Sequence, residues 1–420
     1  MSQAHEDKYV PPPPARRGAS VLRLRDFRWL WIGQTVSSIG DQIFPIAVAL
    51  KVVHAGGSAG DLGVVLLGRT VAMVLFVLVG GVYADRISRT RVMIGADVLR
   101  AVAVGGLALV PGDVPVSVLA LLTFVVGGGE AFFRPAYGAI VPSVVPKEMF
   151  EQANAFTSVS LRTAAILGPA LGGFLVAVAG TGWALTVDAA TFGISMLTLL
   201  RIAEPPPATR LEPTTPLRDA LEGVAAVRAR PWVGAVLVMA TLHLMLAIAP
   251  MMVLMPFIAR ERLGGDDAYG LLLVVFAVGG LAGTPIGGKL SPRLPGQWGL
   301  LGLLPHAGLL LSLAYSDSLL VNAAWSFAAG VGLEPFAIWW SSALQRDVPP
   351  ALLARVISLD WLASLGLMPL GLAFAGPAAE AFGREPVLVA GAVALVVSTL
   401  AVLPVRGVRE FATPTAPSPG

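Results

Sequence analysis

Three carboxyl groups lie inside long apolar stretches of this chain: Asp41 in SSIGDQIFPIAVAL, Glu130 in FVVGGGEAFF and Glu334 in AAGVGLEPFAIWW. Arg69, Arg134 and Arg162 lie in comparable surroundings. An ionisable side chain in hydrocarbon costs several kcal/mol or more by most estimates, so each marks a functional position by default. A carboxyl group in an apolar cavity can alternate between protonated and ionised forms near neutral pH. The chemistry open to Asp41, Glu130 and Glu334 is therefore reversible proton uptake. Asp41 comes first because it falls near the middle of its stretch. Arg134 follows Glu130 by one turn on the same helix face, in the acid-first order that suits an intrahelical ion pair. Arg69 and Arg162 suit either an anionic small molecule or neutralisation of one of these acids. Asp97 and Arg100 lie within two turns of the end of their stretch, spaced to pair, and read as structural. Asp360 is similarly shallow, Lys51 is expected to reach the outer surface, and Asp188 completes the set.

These residues must be positioned by helices in lipid. Hydrophobic residues make up 55% of the 420 residues and charged ones 13%, against roughly a quarter charged in a soluble domain; the mean hydropathy is +0.77. Windows of about 20 apolar residues, enough to cross a bilayer, recur from residue 28 to residue 404 with short polar breaks. They predict an all-α integral membrane protein of about twelve transmembrane helices. Residues 1–27 read as a disordered cytoplasmic tail, 28–202 as a six-helix half, 203–232 as a cytoplasmic linker, 233–404 as a second six-helix half and 405–420 as a cytoplasmic tail. The linker ends as an amphipathic helix with Leu217, Leu221, Val224 and Val227 on one stripe.

Charge sets the orientation. With the N-terminus in the cytoplasm, 21 of the 29 Lys and Arg fall in the tails and inside loops and three, Arg260, Arg262 and Arg384, fall outside, as the positive-inside rule requires. The net charge of +3 then reflects the membrane surface and not nucleic acid. With no cysteine and four histidines, thiol chemistry is excluded and neither a metal nor a cofactor is expected. No Gly-x-x-x-x-Gly-Lys-Ser/Thr or His-Glu-x-x-His segment occurs, so neither ATP hydrolysis nor a zinc peptidase helix is encoded. The chain is not expected to be an enzyme.

The halves echo each other at offsets near 200 residues. Gly80-Gly81 before Arg86 matches Gly287-Gly288 before Arg293, Val145-Pro146 matches Val348-Pro349, and Pro169 matches Pro369. Such order suggests two six-helix repeats.

The charged break GGVYADRISRTRV resembles the loop between helices 2 and 3 of the major facilitator superfamily, through Gly81, Ala84, Asp85, Arg86, Arg89 and Arg91. Tyr83, Ser88 and Thr90 depart from the pattern, and the second copy, GGKLSPRLPG, has Pro292 in place of the acid. ILGPALGGF supplies Gly168, Pro169, Gly172 and Gly173, resembling the end of the superfamily's antiporter motif; its upstream glycines are absent, and close helix packing accounts for the same residues equally well. The turn Ser38–Asp41, FFRPAYGAIVPSVVP and EQANAF look like the branch that includes bacterial enterobactin and macrolide exporters. The resemblance covers nearly all of residues 25–405. It implies two pseudo-symmetric halves and a monomeric secondary transporter of the bacterial inner membrane with both termini cytoplasmic. It also implies small amphipathic cargo exchanged for protons, and a cytoplasmic latch at Asp85 and its arginines. An importer of the same fold, a membrane-embedded enzyme and a non-transporting receptor are the competing readings.

Overall fold

The computed structural model describes residues 20–110, 114–146, 149–204, 216–290, 292–349, 352, 356–357, 359–360, 363 and 366–413, with the backbone alone for 77–86, 142, 151, 154–155, 162, 166 and 216–221. Among the described residues every regular element is helical. Lipid offers a backbone N–H or C=O no partner, so a spanning segment must satisfy them internally. The helices are α1 (Arg25–His54), α2 (Ala59–Arg86), α3 (Arg89–Leu109), α4 (Val116–Val144), α5 (Phe150–Ala179), α6 (Thr181–Leu199) and α7 (Pro216–Arg228). They continue as α8 (Pro231–Arg262), α9 (Asp266–Lys289) and α10 (Pro295–Tyr315), then α11 (Leu319–Asp347), α12 (Met368–Phe382) and α13 (Arg384–Val402).

Ten helices among the described residues are long and apolar enough to cross a membrane, α1–α6, α8–α10 and α13. Of the two remaining expected spans, α11 runs 29 residues, and the segment 353–376 is described only in part before residue 366, with α12 beginning at Met368. Leu75, Val102, Leu109, Phe174, Val178 and Val238 are exposed, as apolar side chains facing hydrocarbon should be.

The chain divides into two compact units, one holding 1–57 and 64–210, the other 58–63 and 211–420. Within the first, α1 packs on α5 and α6, and α3 on α4 and α6. A Cβ at Gly127 of α4 would fall on the Arg69 carbonyl of α2, and Thr123 Oγ1 donates to the Val65 carbonyl at 2.7 Å. Within the second, α8 packs on α12 and α13, α10 on α11 and α13, and α9 on α11. A Cβ at Gly330 would fall on the Phe276 carbonyl, and Ser326 Oγ donates to the Leu272 carbonyl at 2.7 Å. Each packed pair of helices in the first unit thus has a counterpart in the second, α1 answering to α8 and so on to α6 and α13. The sixth helix of each starts on a glycine with positive φ, Gly180 at 85° and Gly383 at 92°, a conformation that L side chains rarely adopt.

The α8 helix is interrupted at Leu244–Ile248 by a π turn. In α10, Pro295–Leu301 and Pro305–Tyr315 are separate helical pieces, because Pro305 cannot donate its missing N–H to the turn before it.

Several expectations change. Order begins before residue 28: Val21 and Phe27 are buried in the first unit's core, where their apolar side chains gain from leaving solvent; residues 1–19 lie outside the described residues. In the second unit Val408 and Phe411 are buried with Trp232 and Trp340, so the C-terminal segment is folded at least to that point. Lys51 does not reach the surface; it is buried with Nζ 2.7 Å from the Val110 carbonyl at the end of α3, a carbonyl left open by helix termination. GGSAG at 56–60 has the spacing of a Gly-x-Ser-x-Gly nucleophile turn, but that turn needs a preceding strand. Here Ser58 caps α2, its hydroxyl accepting from Asp61 N at 3.2 Å while Asp61 Oδ2 accepts from Ser58 N at 2.8 Å.

Candidate functional site

Five helices of the first unit bring their ionisable residues into one buried cluster. Small residues make this possible. Gly127 lets α4 approach α2, a Cβ at Gly129 would strike the Arg100 side chain, and a Cβ at Gly40 would strike the Asp188 and Thr191 side chains.

At one end of the cluster Glu130 takes two arginines. Its Oε2 accepts from Arg69 Nε at 3.1 Å and Nη2 at 3.0 Å, and its Oε1 from Arg134 Nε at 2.9 Å and Nη2 at 2.5 Å. The Arg69 guanidinium also lies 5.1 Å from the Phe44 ring centre. Charge-assisted bonds to both carboxylate oxygens compensate burial only because every oxygen is served. Arg134 therefore pairs within its own helix, and Arg69 ties α2 to α4.

At the other end Arg100 is the hub. Its Nη2 lies 2.5 Å from Asp97 Oδ1 and its Nη1 3.4 Å from Asp41 Oδ1. Its guanidinium sits between two rings, 4.4 Å from the Phe133 centre and 4.3 Å from the Phe192 centre, a favourable cation–π arrangement. Asp97 is fully buried, whereas the Asp41 side chain keeps 31% of its surface open. Asp97 and Arg100 pair as their spacing predicts, but Arg100 also reaches Asp41, so the pair does not stand apart at the end of its helix. The α1–α3–α6 packing draws them into the same cluster as Asp41.

Asp188 lies beside them on α6, fully buried. Asp188 is conspicuous in sequence as a single acid in an apolar helix, whereas Phe192 gives no such signal.

Glu334 lies elsewhere, on α11 of the second unit, where a Cβ at Gly280 of α9 would stand 3.4 Å from its Cγ. Aligning GGGEAF with GLEPF by their acids pairs Glu334 with Glu130. The packing aligns them by their glycines instead, Gly127 with Gly330 and Gly129 with Gly332. Glu334 then corresponds to Ala131, about 100° round the helix from Glu130.

Gly168 and Gly172 of α5 abut α1 beside Asp41: a Cβ at Gly168 would fall on Gln42, and one at Gly172 would lie 3.3 Å from Ile43 Cα. Pro169 is buried with them and Gly173 is half-buried. Of the expected latch, α2 carries Gly81, Asp85 and Arg86 to its end; their side chains, and that of Arg162 on α5, lie outside the described residues. Arg91 is exposed. The N-terminus of α3 is held by a residue not singled out in sequence. Glu204 accepts from Ser88 Oγ at 2.5 Å, Arg89 N at 2.8 Å and Thr90 N at 2.9 Å, placing a carboxylate on the positive end of the helix. Its position just after the last span of the half was the available clue.

A two-unit helical fold with charges buried inside its first unit is the architecture of a membrane transporter of the major facilitator type. Solved structures agree on the fold. A bacterial homologue of the human lysosomal transporter Spinster has a TM-score of 0.71 at 19% identity, covering 95% of this chain and all of that one. The nucleoside transporter NupG has a TM-score of 0.70 at 14% identity, covering 90% and 98%. The chain belongs to the transmembrane secretion effector family, whose model matches residues 18–418. Macrolide efflux protein A of Streptococcus pyogenes is 28% identical over 369 residues, 85% of this chain and 90% of that protein. Enterobactin exporter EntS of Shigella flexneri is 28% identical over 353 residues, 80% of each. The chain is a transporter and not an enzyme.

Proposed function

We propose that the protein is a proton-coupled exporter of small amphipathic compounds, macrolide-like or siderophore-like, working by alternating access as a monomer in the bacterial inner membrane with both termini cytoplasmic. The observation that carries this reading is the cluster of Asp41, Arg69, Asp97, Arg100, Glu130 and Arg134, in which Asp97, Arg100 and Glu130 are buried. Buried ion pairs are poor stabilisers compared with apolar packing, so a cluster of this size in a transporter is kept for work. Efflux is supported by the two relatives, since both are named for export. Asp41 is the first coupling residue, because it is the most open carboxyl of the cluster and is held by one long contact. Glu130 and Glu334 are the second candidates. The segment Gly81, Asp85, Arg86, Arg89 and Arg91 acts as the cytoplasmic latch, with Glu204 fixing the start of α3 beneath it.

Everted vesicles carrying the protein test this directly. Under an imposed proton gradient they should accumulate erythromycin, the accumulation should collapse with a protonophore, and Asp41→Asn should abolish it at equal abundance. Gradient-driven movement of a solute in the opposite sense would replace the exporter with an importer. Asp85→Asn should lower transport without lowering abundance; unchanged transport would remove the latch.

A further inference from the structure

Asp188 is fully buried in α6, and neither of its carboxylate oxygens has a hydrogen-bond partner among the described residues. Its neighbours do not serve it. The Thr191 hydroxyl, one turn on, donates to the Asp188 main-chain carbonyl at 2.7 Å. The carboxylate side faces Gly40 of α1, where there is no side chain. Asp41 faces it from α1, Asp97 and Arg100 from α3, Arg69 from α2, and Glu130 and Arg134 complete the cluster from α4; Arg162 lies on α5 with its side chain outside the described residues. The arginines are engaged elsewhere, Arg100 with Asp97 and Asp41, Arg69 and Arg134 with Glu130.

Two observations converge on a proton. The described cluster holds four carboxyls, Asp41, Asp97, Glu130 and Asp188, against three guanidinium groups, Arg69, Arg100 and Arg134. It is therefore neutral only when one carboxyl is protonated. An isolated ionised carboxylate is too costly for a dry interior, and such a group neutralises instead. The carboxyl with no donor is the one to do so.

We propose that Asp188 carries the transported proton in this conformation and that Asp41, the open carboxyl next to it, is its route in and out. On release the O–H bond of Asp188 breaks and the proton passes to the Asp41 carboxylate and then to water. The negative charge left on Asp188 is met by Arg100, whose Nε also lacks an acceptor in this conformation. An unmet donor, Arg100 Nε, and three unmet acceptors, Asp97 Oδ2 and both oxygens of Asp188, in one cluster mark the rearrangement that deprotonation would drive. The transport consequence rests on the export reading above; the protonation itself does not.

Infrared difference spectra of the full chain in lipid nanodiscs test the protonation. At neutral pH the protein should show the carbonyl stretch of a protonated carboxyl. Asp188→Asn should lose the band, Asp188→Glu should shift it, and Asp41→Asn should retain it. Persistence of an unshifted band in both Asp188 variants, or its absence from the wild-type protein, overturns the proposal. Thermal stability gives a second reading: replacing a neutral acid by Asn should leave the melting temperature unchanged or raise it. A clear fall would mean that Asp188 is ionised and paired. In everted vesicles Asp188→Asn should lose protonophore-sensitive erythromycin uptake while erythromycin exchange persists. A band that maps to Asp188 in a protein with no proton-driven erythromycin uptake would sink the export reading and leave the protonation site standing.

Discussion

The two units use one packing frame for two chemistries. Gly127 on the Arg69 carbonyl in the first matches Gly330 on the Phe276 carbonyl in the second, so Phe276 stands where Arg69 stands. A Cβ at Gly129 would meet the Ala96 carbonyl, and one at Gly332 the Gly302 carbonyl. One turn beyond those carbonyls the first unit has Arg100 and the second His306, whose ring lies 5.6 Å from Phe276. The other buried histidine, His243, is 3.0 Å from Ser398 Oγ and 3.2 Å from the Leu395 carbonyl. The first unit thus buries guanidinium–carboxylate pairs at positions where the second buries rings and hydroxyls. Glycine-mediated approach is what the frame requires; the cluster of arginines and carboxylates is an addition to it in the first unit.

That contrast can be broken at several points. The largest effect is expected at the hub. Arg100→Met strands Asp97 and Asp41, and removing one partner of a buried pair costs about 3–5 kcal/mol. The corresponding His306→Leu should cost about 1 kcal/mol, the usual scale of a single substitution. Equal losses in detergent thermal melts would mean that charge plays no special part in the first unit. Next, Gly127→Leu and Gly330→Leu should be alike, each costing about 3 kcal/mol through overpacking against a backbone carbonyl and each reducing folded protein in the membrane. A large difference between them would break the shared frame.

Smaller effects sharpen the picture. The double variant Arg69→Met with Glu130→Met should be more stable than Glu130→Met alone, with a coupling of about 1–3 kcal/mol across the cycle. An additive cycle would mean that the pair is not buried as a unit. Glu204→Gln should cost about 1 kcal/mol as a weakened helix cap and should lower transport further if the latch depends on α3. The smallest effect is an acid sensitivity in the second unit. At the end of α11, burial alone would raise the Asp347 carboxyl. The Thr413 hydroxyl and amide, at 2.6 and 3.0 Å, the Trp232 indole at 3.2 Å and Arg230 outweigh it and hold the group below its usual value. Its contribution is then present above the ordinary aspartate range, about pH 4, and lost as pH falls through the lower folded value. Asp347→Asn should flatten that acid limb of a melting curve and leave neutral pH less stable.

Much of this was legible in one dimension. Hydropathy and the placement of Lys and Arg define helices and their order because lipid imposes a single solution on the backbone, and the Gly-x-x-Ala-Asp-Arg core carries the family resemblance. Asp41, Glu130 and the Glu130–Arg134 spacing are visible because an acid is conspicuous among apolar neighbours. Partners of such acids are not visible. Asp97 and Arg100 look shallow when depth is counted along one helix, yet they meet Asp41 because α1, α3 and α6 converge. Glu334 looks equivalent to Glu130 when acids are aligned, yet glycine packing shifts it by one residue and so to another face.

What the sequence by itself determined is the helical class, the two-fold repeat and the inventory of buried charge, since each depends on local composition and period. Only the tertiary structure decided which charges neutralise which. A guanidinium reaches its carboxylate across helices, and those approaches are set by glycines whose contacts lie far away in the chain. Asp188 shows the distinction most plainly: its type is in the sequence, but its lack of a donor among the described residues exists only in the packed unit.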